Sequence, residues 1–144
     1  MADVSFYVIQ TQISQAELAC RICRKSLSTG QLPVLVKFEQ QAALEHFDNL
    51  LWQFDASSFV PHDFLPNDFV SHDLENSKSP ICLSLHIPEQ FQGLCLNMGQ
   101  HAVQAQRFSR VIEIIENMPT AREAGRLRFK AYREQGIEPI THQV

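Results

Sequence analysis

Cys20-Arg-Ile-Cys23 is the first spacing in this chain that could do chemistry, either as half a zinc site or as a redox pair. Zinc needs four converging donors, and the two remaining cysteines, Cys82 and Cys95, sit in strand-like apolar runs. A redox pair belongs at a strand-to-helix turn, where the helix start lowers a thiol pKa. Here the pair falls inside a helical pattern, so positions i and i+3 simply share a face, and both cysteines read as small core residues. The histidines pose the same question. His62-Asp63 and His72-Asp73 suggest a metal phosphohydrolase, but His46, His86, His101 and His142 are isolated and none is paired at HExxH spacing. No Gly-x-Ser-x-Gly elbow is present. The reading is no catalytic residue, no metal and no cofactor.

Phosphate chemistry is equally absent from the pattern. The turn after the first strand is Gln10-Thr-Gln-Ile-Ser14, without the glycines that let backbone amides approach a pyrophosphate. The five glycines (30, 93, 99, 125 and 136) are scattered. Charge, by contrast, is segregated. Pro119–Gly136 holds Arg122, Arg126, Arg128, Lys130 and Arg133 against Glu123 and Glu134, a balance of +3 that leaves −7 for the rest of the chain. At about 100° per residue, Arg122, Arg126, Phe129, Lys130 and Arg133 share roughly a 100° arc, with Ala124, Leu127 and Ala131 expected to face a sheet. An aromatic ring inside a basic stripe suits an acidic ligand with an apolar end, such as a peptide carboxyl terminus, or nucleic acid. The alternative is a solvated helix face with one stray Phe. A second patch, Leu50-Leu-Trp-Gln-Phe-Asp-Ala-Ser-Ser-Phe-Val-Pro-His62, bunches large apolar residues where a helix gives way to loop. Its aromatic residues are typical interface anchors.

The elements that must position these residues follow from periodicity. Val4–Ile9, Pro33–Phe38, Ile81–Leu85, Leu94–Met98 and Arg110–Ile115 are short, apolar and nearly continuous, as strands buried on both faces are. Ser14 with Glu17 forms a capping-box pattern opening a helix that Gly30 stops; a second helix spans about Gln40–Trp52; Pro119 opens the last, closed by Gly136. Phe54–Pro80, with Pro61, Pro66 and Pro80 and five acidic residues against one lysine, reads as surface loop. This alternation predicts a three-layer, Rossmann-like α/β fold with a mostly parallel sheet, forming one domain over residues 1–144.

Composition sets the class. With 144 residues, 44% apolar and 19% charged, the chain can bury a core without staples and is neither disordered nor low-complexity. A net charge of −4 opposes general attraction to nucleic acid. Four cysteines suit a reducing cytosol, and no apolar run reaches the ~18 residues of a membrane span. A small cytoplasmic domain with no membrane contact is expected.

Three stretches then carry a resemblance. Leu51-Trp-Gln-Phe-Asp55 followed by Ser58-Phe-Val-Pro-His62 resembles the central motif of the chi subunit family of bacterial DNA polymerase III holoenzyme. Phe6-Tyr-Val-Ile9 and Arg126-Leu-Arg-Phe-Lys-Ala-Tyr-Arg133 with Gly136 are similar to that family's first strand and last helix, in the same order. The resemblance implies a non-catalytic accessory subunit. It would pair 1:1 with the psi subunit, reach the clamp loader through psi, and grip the acidic C-terminal tail of single-stranded-DNA-binding protein (SSB), touching nucleic acid only indirectly. Carried over by position, the tail site is Ile115, Arg122, Arg126, Phe129 and Lys130, and the psi contact centres on Trp52 and Phe59. Position 129 is Phe where some members have Tyr. The alternative is a nucleic-acid-binding α/β module that uses the basic C-terminal helix directly.

Overall fold

Continuous apolar runs separated by helical patterns fold here into one sheet, seen in a computed structural model that describes residues 3–30, 33–53, 63–64, 81–87 and 91–144. In chain order the elements are β1 (Asp3–Val8), α1 (Gln15–Thr29), β2 (Val34–Lys37), α2 (Gln41–Gln53) and β3 (Asp63–Phe64). They continue with β4 (Ile81–Ser84), β5 (Leu94–Asn97), β6 (Arg110–Ile115), α3 (Pro119–Glu134) and β7 (Ile140–Gln143). The strand order is β3-β4-β2-β5-β6-β1-β7, and every pairing among them is parallel. Parallel neighbours need crossovers, and the crossovers put helices on the faces, which is why the strands are apolar on both sides.

Two apolar clusters flank the sheet. Ala19, Cys20 and Cys23 of α1 and Leu44, Phe47 and Leu51 of α2 pack with Val34, Val36, Ile112 and Ile114 on one side. Tyr132 and Phe129 of α3 pack with Val4, Phe6, Val111 and Ile115 on the other. This is the expected three-layer α/β fold. The Ser14 hydroxyl accepts the Glu17 N–H at 3.1 Å, and Gly30 ends α1 at φ 76°, a left-handed conformation that costs glycine nothing.

Three departures from the sequence reading matter. The Phe54–Pro80 stretch was expected to hold no element, yet Asp63–Phe64 pairs with β4; most of that stretch lies outside the described residues. Between β5 and β6, where the sequence reading names no element, a 3-10 turn forms over Ala105–Arg107. And β7 was not anticipated. All four of its residues are exposed, so it has no buried face to print a pattern into the sequence.

Candidate functional site

The pocket at the carboxyl ends of β1 and β6 begins with a glycine. Gly125 sits in the middle of α3, and a Cβ there would lie 2.5 Å from Ile115 Cδ1. The missing side chain lets the helix settle onto β6. Phe129, one turn further on, packs its ring against Phe6 of β1 at 5.2 Å. Phe6, Val8, Ile115, Gly125 and Phe129 thus build an apolar pocket of about 280 Å3, edged by Arg122, Arg126 and Thr141. Carboxyl ends of parallel strands are where α/β sheets place ligands.

Four of the five residues proposed from sequence, Ile115, Arg122, Arg126 and Phe129, meet in this pocket. Lys130 stays outside its lining, exposed on α3 about 160° around the helix from the buried centre. Arg122 donates to the Asn117 side chain, and Arg126 has no hydrogen-bond or ion-pair partner among the described residues. No side chain caps the start of α3, so its first N–H groups add positive potential near Arg122. Sequence reasoning missed Phe6 and Val8, which read simply as core, and Thr141, which lies on the unanticipated β7.

The rotation of α3 corrects the sequence reading. Leu127 was expected against the sheet and is 69% exposed, while Arg128 is buried. Gly125, Arg128 and Tyr132, not Ala124, Leu127 and Ala131, make the innermost face. The cause lies on β6, where Glu113 is completely buried. Arg128 Nε donates to Glu113 Oε1 at 2.8 Å, and Tyr132 OH and Asn97 Nδ2 donate to Oε2 at 2.5 and 2.7 Å. Burial pushes the Glu113 carboxyl above its usual range, against the opposing pull of Arg128, Tyr132 and Asn97. A lone glutamate inside the apolar run Arg110–Ile115 was the available signal, since a buried carboxylate demands partners.

The other sequence candidates fall elsewhere. Trp52 belongs to α2, in a different part of the chain and sheet from the pocket, while Phe59 lies outside the described residues. Cys20 and Cys23 are free and buried under α1, and burial pushes the Cys20 thiol up to about 12 and that of Cys23 higher still. Thiols held protonated in this way are poor nucleophiles and poor metal ligands. No cluster of three or more His, Cys, Asp or Glu side chains suited to a metal occurs among the described residues. None of the described helices is long and apolar enough to cross a membrane.

A parallel α/β sheet with an arginine-edged apolar pocket at its strand ends gives an architecture and a place for a ligand, and by itself names no function. The family model described as "DNA polymerase III chi subunit, HolC" matches residues 1–139. DNA polymerase III subunit chi of Pseudomonas aeruginosa is 31% identical over 148 residues, spanning 100% of this chain and 98% of that protein. Its counterpart from Haemophilus influenzae is 26% identical over 150 residues, spanning 100% and 99%. The chain belongs to the DNA polymerase III chi subunit family.

Proposed function

We propose that the chain is a non-catalytic cytoplasmic adaptor of the clamp-loader assembly. It pairs 1:1 with psi through a surface centred on Trp52 and Phe59, and it grips the acidic C-terminal tail of SSB in the pocket under α3. One observation carries the reading: an apolar pocket of about 280 Å3 has two arginines at its edge. An aromatic peptide terminus fills the apolar floor while Arg126 meets its carboxylate. Burying that ring contributes roughly 1.5–3 kcal/mol, and the charge contact adds affinity that falls with salt. Lys130, one helical turn from Arg126, holds acidic side chains further along the tail.

Titration of a fluorescent SSB-tail peptide tests this. Arg126→Ala should weaken binding about thirtyfold, equivalent to about 2 kcal/mol. A peptide lacking its final Phe should bind far more weakly. Undiminished binding of the truncated peptide would overturn the pocket mechanism. Binding of bare oligonucleotide as tight as that of the peptide would favour direct nucleic-acid recognition instead. That alternative is weakened by Arg128, whose charge is spent inside the fold. For the second surface, Trp52→Ala or Phe59→Ala should reduce psi capture and leave tail binding intact; loss of both in a folded variant would refute separate surfaces.

A further inference from the structure

The opposite face of the same sheet carries a second concavity. Tyr7 faces α1, and its partner in β7 is His142, whose ring lies 5.3 Å away. Helix α1 packs over β6 but leaves β7 exposed, with Ile140 at 56% and the following Val144 at 46%. Between α1 and the strands lies a cleft of about 320 Å3, floored by Leu18, Ile22 and Ile112 and edged by Arg21, Lys25 and Arg110. Its size matches the small end of ligand sites.

The charges there are not balanced. Arg110 is half-buried, and its Nη2 donates to the Tyr7 hydroxyl at 3.0 Å and to Ser5 Oγ at 3.2 Å, both neutral. Among the described residues no carboxylate pairs with Arg110 or Lys25, and Arg21 has only Glu17, at 3.3 Å. A half-buried cation beside aliphatic side chains is costly until an anion joins it.

The geometry points to a second binding site in this cleft, for an acidic peptide segment carrying an aliphatic side chain. The aliphatic floor takes that side chain, and Arg110 and Lys25 take carboxylates beside it. Nucleic acid fits less well, because Tyr7, the one aromatic ring among the described residues lining the cleft, is already engaged by His142. The site is independent of the pocket under α3, which faces the other way.

Methyl NMR of the full chain tests it with a blocked probe, acetyl-Asp-Leu-Asp-amide, which lacks the free carboxyl terminus proposed for the other pocket. The Leu18, Ile22 and Ile112 methyls should shift saturably while Ile115 stays still. Lys25→Glu, a surface change that spares the fold, should weaken binding about tenfold or more, and Arg126→Ala should leave it unchanged. Three outcomes overturn the proposal: no shifts at millimolar peptide, equal losses in the two variants, or shifts with inorganic phosphate or oligo-dT that match those with peptide. None of these bears on tail binding at Arg126, so the two readings fail separately.

Discussion

Replacing Gly125 with Ala sets two effects of known sign against each other. In an isolated helix the change gains about 0.8–1 kcal/mol, because glycine is a poor interior residue. In this fold the new Cβ would stand 2.5 Å from Ile115 Cδ1 and 3.1 Å from its Cγ1. Restoring ordinary contact needs a shift of about 1 Å in a side chain only 4% exposed. Overpacking of that size costs about 1–3 kcal/mol. Gly125→Ala should therefore end between neutral and about 2 kcal/mol less stable, despite the better helix former. Function should suffer more than stability. Ile115 and Gly125 both line the pocket, so relief of the clash takes space from the bound terminus. Urea melts paired with peptide titration read the two effects on one sample, with a fall in affinity of about tenfold expected. A variant stabilised by the full propensity gain, with unaltered peptide affinity, would refute the view that close approach explains this glycine.

Arg128→Met should cost about 3–5 kcal/mol at neutral pH by stranding Glu113, and acidification should recover part of the loss as that carboxyl takes up a proton; equal losses at pH 5 and pH 8 in denaturant melts would contradict this. Arg133→Ala, on an exposed side chain that among the described residues pairs with Glu138 alone, should leave both stability and tail affinity nearly unchanged, whereas Arg126→Ala spares stability alone. Burial would raise the carboxyl of Glu39, but the His101 and Gln100 N–H groups and the His101 ring together hold it below its ordinary 4.5, so its stabilisation is present above that pH and lost as pH falls through the lowered value. Glu39→Gln should accordingly flatten the acid limb of the stability profile, and an unchanged limb in pH-dependent melts would argue against the contact. A thiol reagent should leave Cys20 and Cys23 unlabelled in the native state at pH 8, and rapid labelling would show that α1 opens far more readily than its burial implies.

The core strands and the limits of α1 and α3 were legible because each is written locally. Val34, Leu35 and Val36 are buried on both faces, and Ser14, Gly30 and Pro119 occupy positions that their own chemistry favours. The pocket was legible only in part. Its basic residues recur on one helix and so show a stripe, and Ile115 came from family resemblance. Phe6 and Val8 belong to a strand 110 or so residues earlier, and nothing local distinguishes a core Phe from one that also walls a pocket. Thr141 was invisible for another reason. An exposed edge strand held by backbone pairing to β1 needs no apolar alternation.

The rotation of α3 shows why spacing alone could not finish the site. Turned by about 100°, the helix would bury Leu127, which transfer energetics value at roughly 1.5–3 kcal/mol. The same turn would withdraw Arg128 from a carboxylate with no exposure at all, at about 3–5 kcal/mol, and part Tyr132 from it as well. It would also pull Phe129 off Phe6 and lift Gly125 away from Ile115. The polar anchor outweighs the apolar gain, so Leu127 stays in water and Phe129 stays at the pocket wall. Arg122 and Arg126 then stand about 80–120° from the anchored centre, at the pocket's edge instead of beneath or beyond it. The buried glutamate on β6 thus acts at a distance on a surface it never touches: it fixes the phase of the helix, and the phase decides which arginines can meet a ligand.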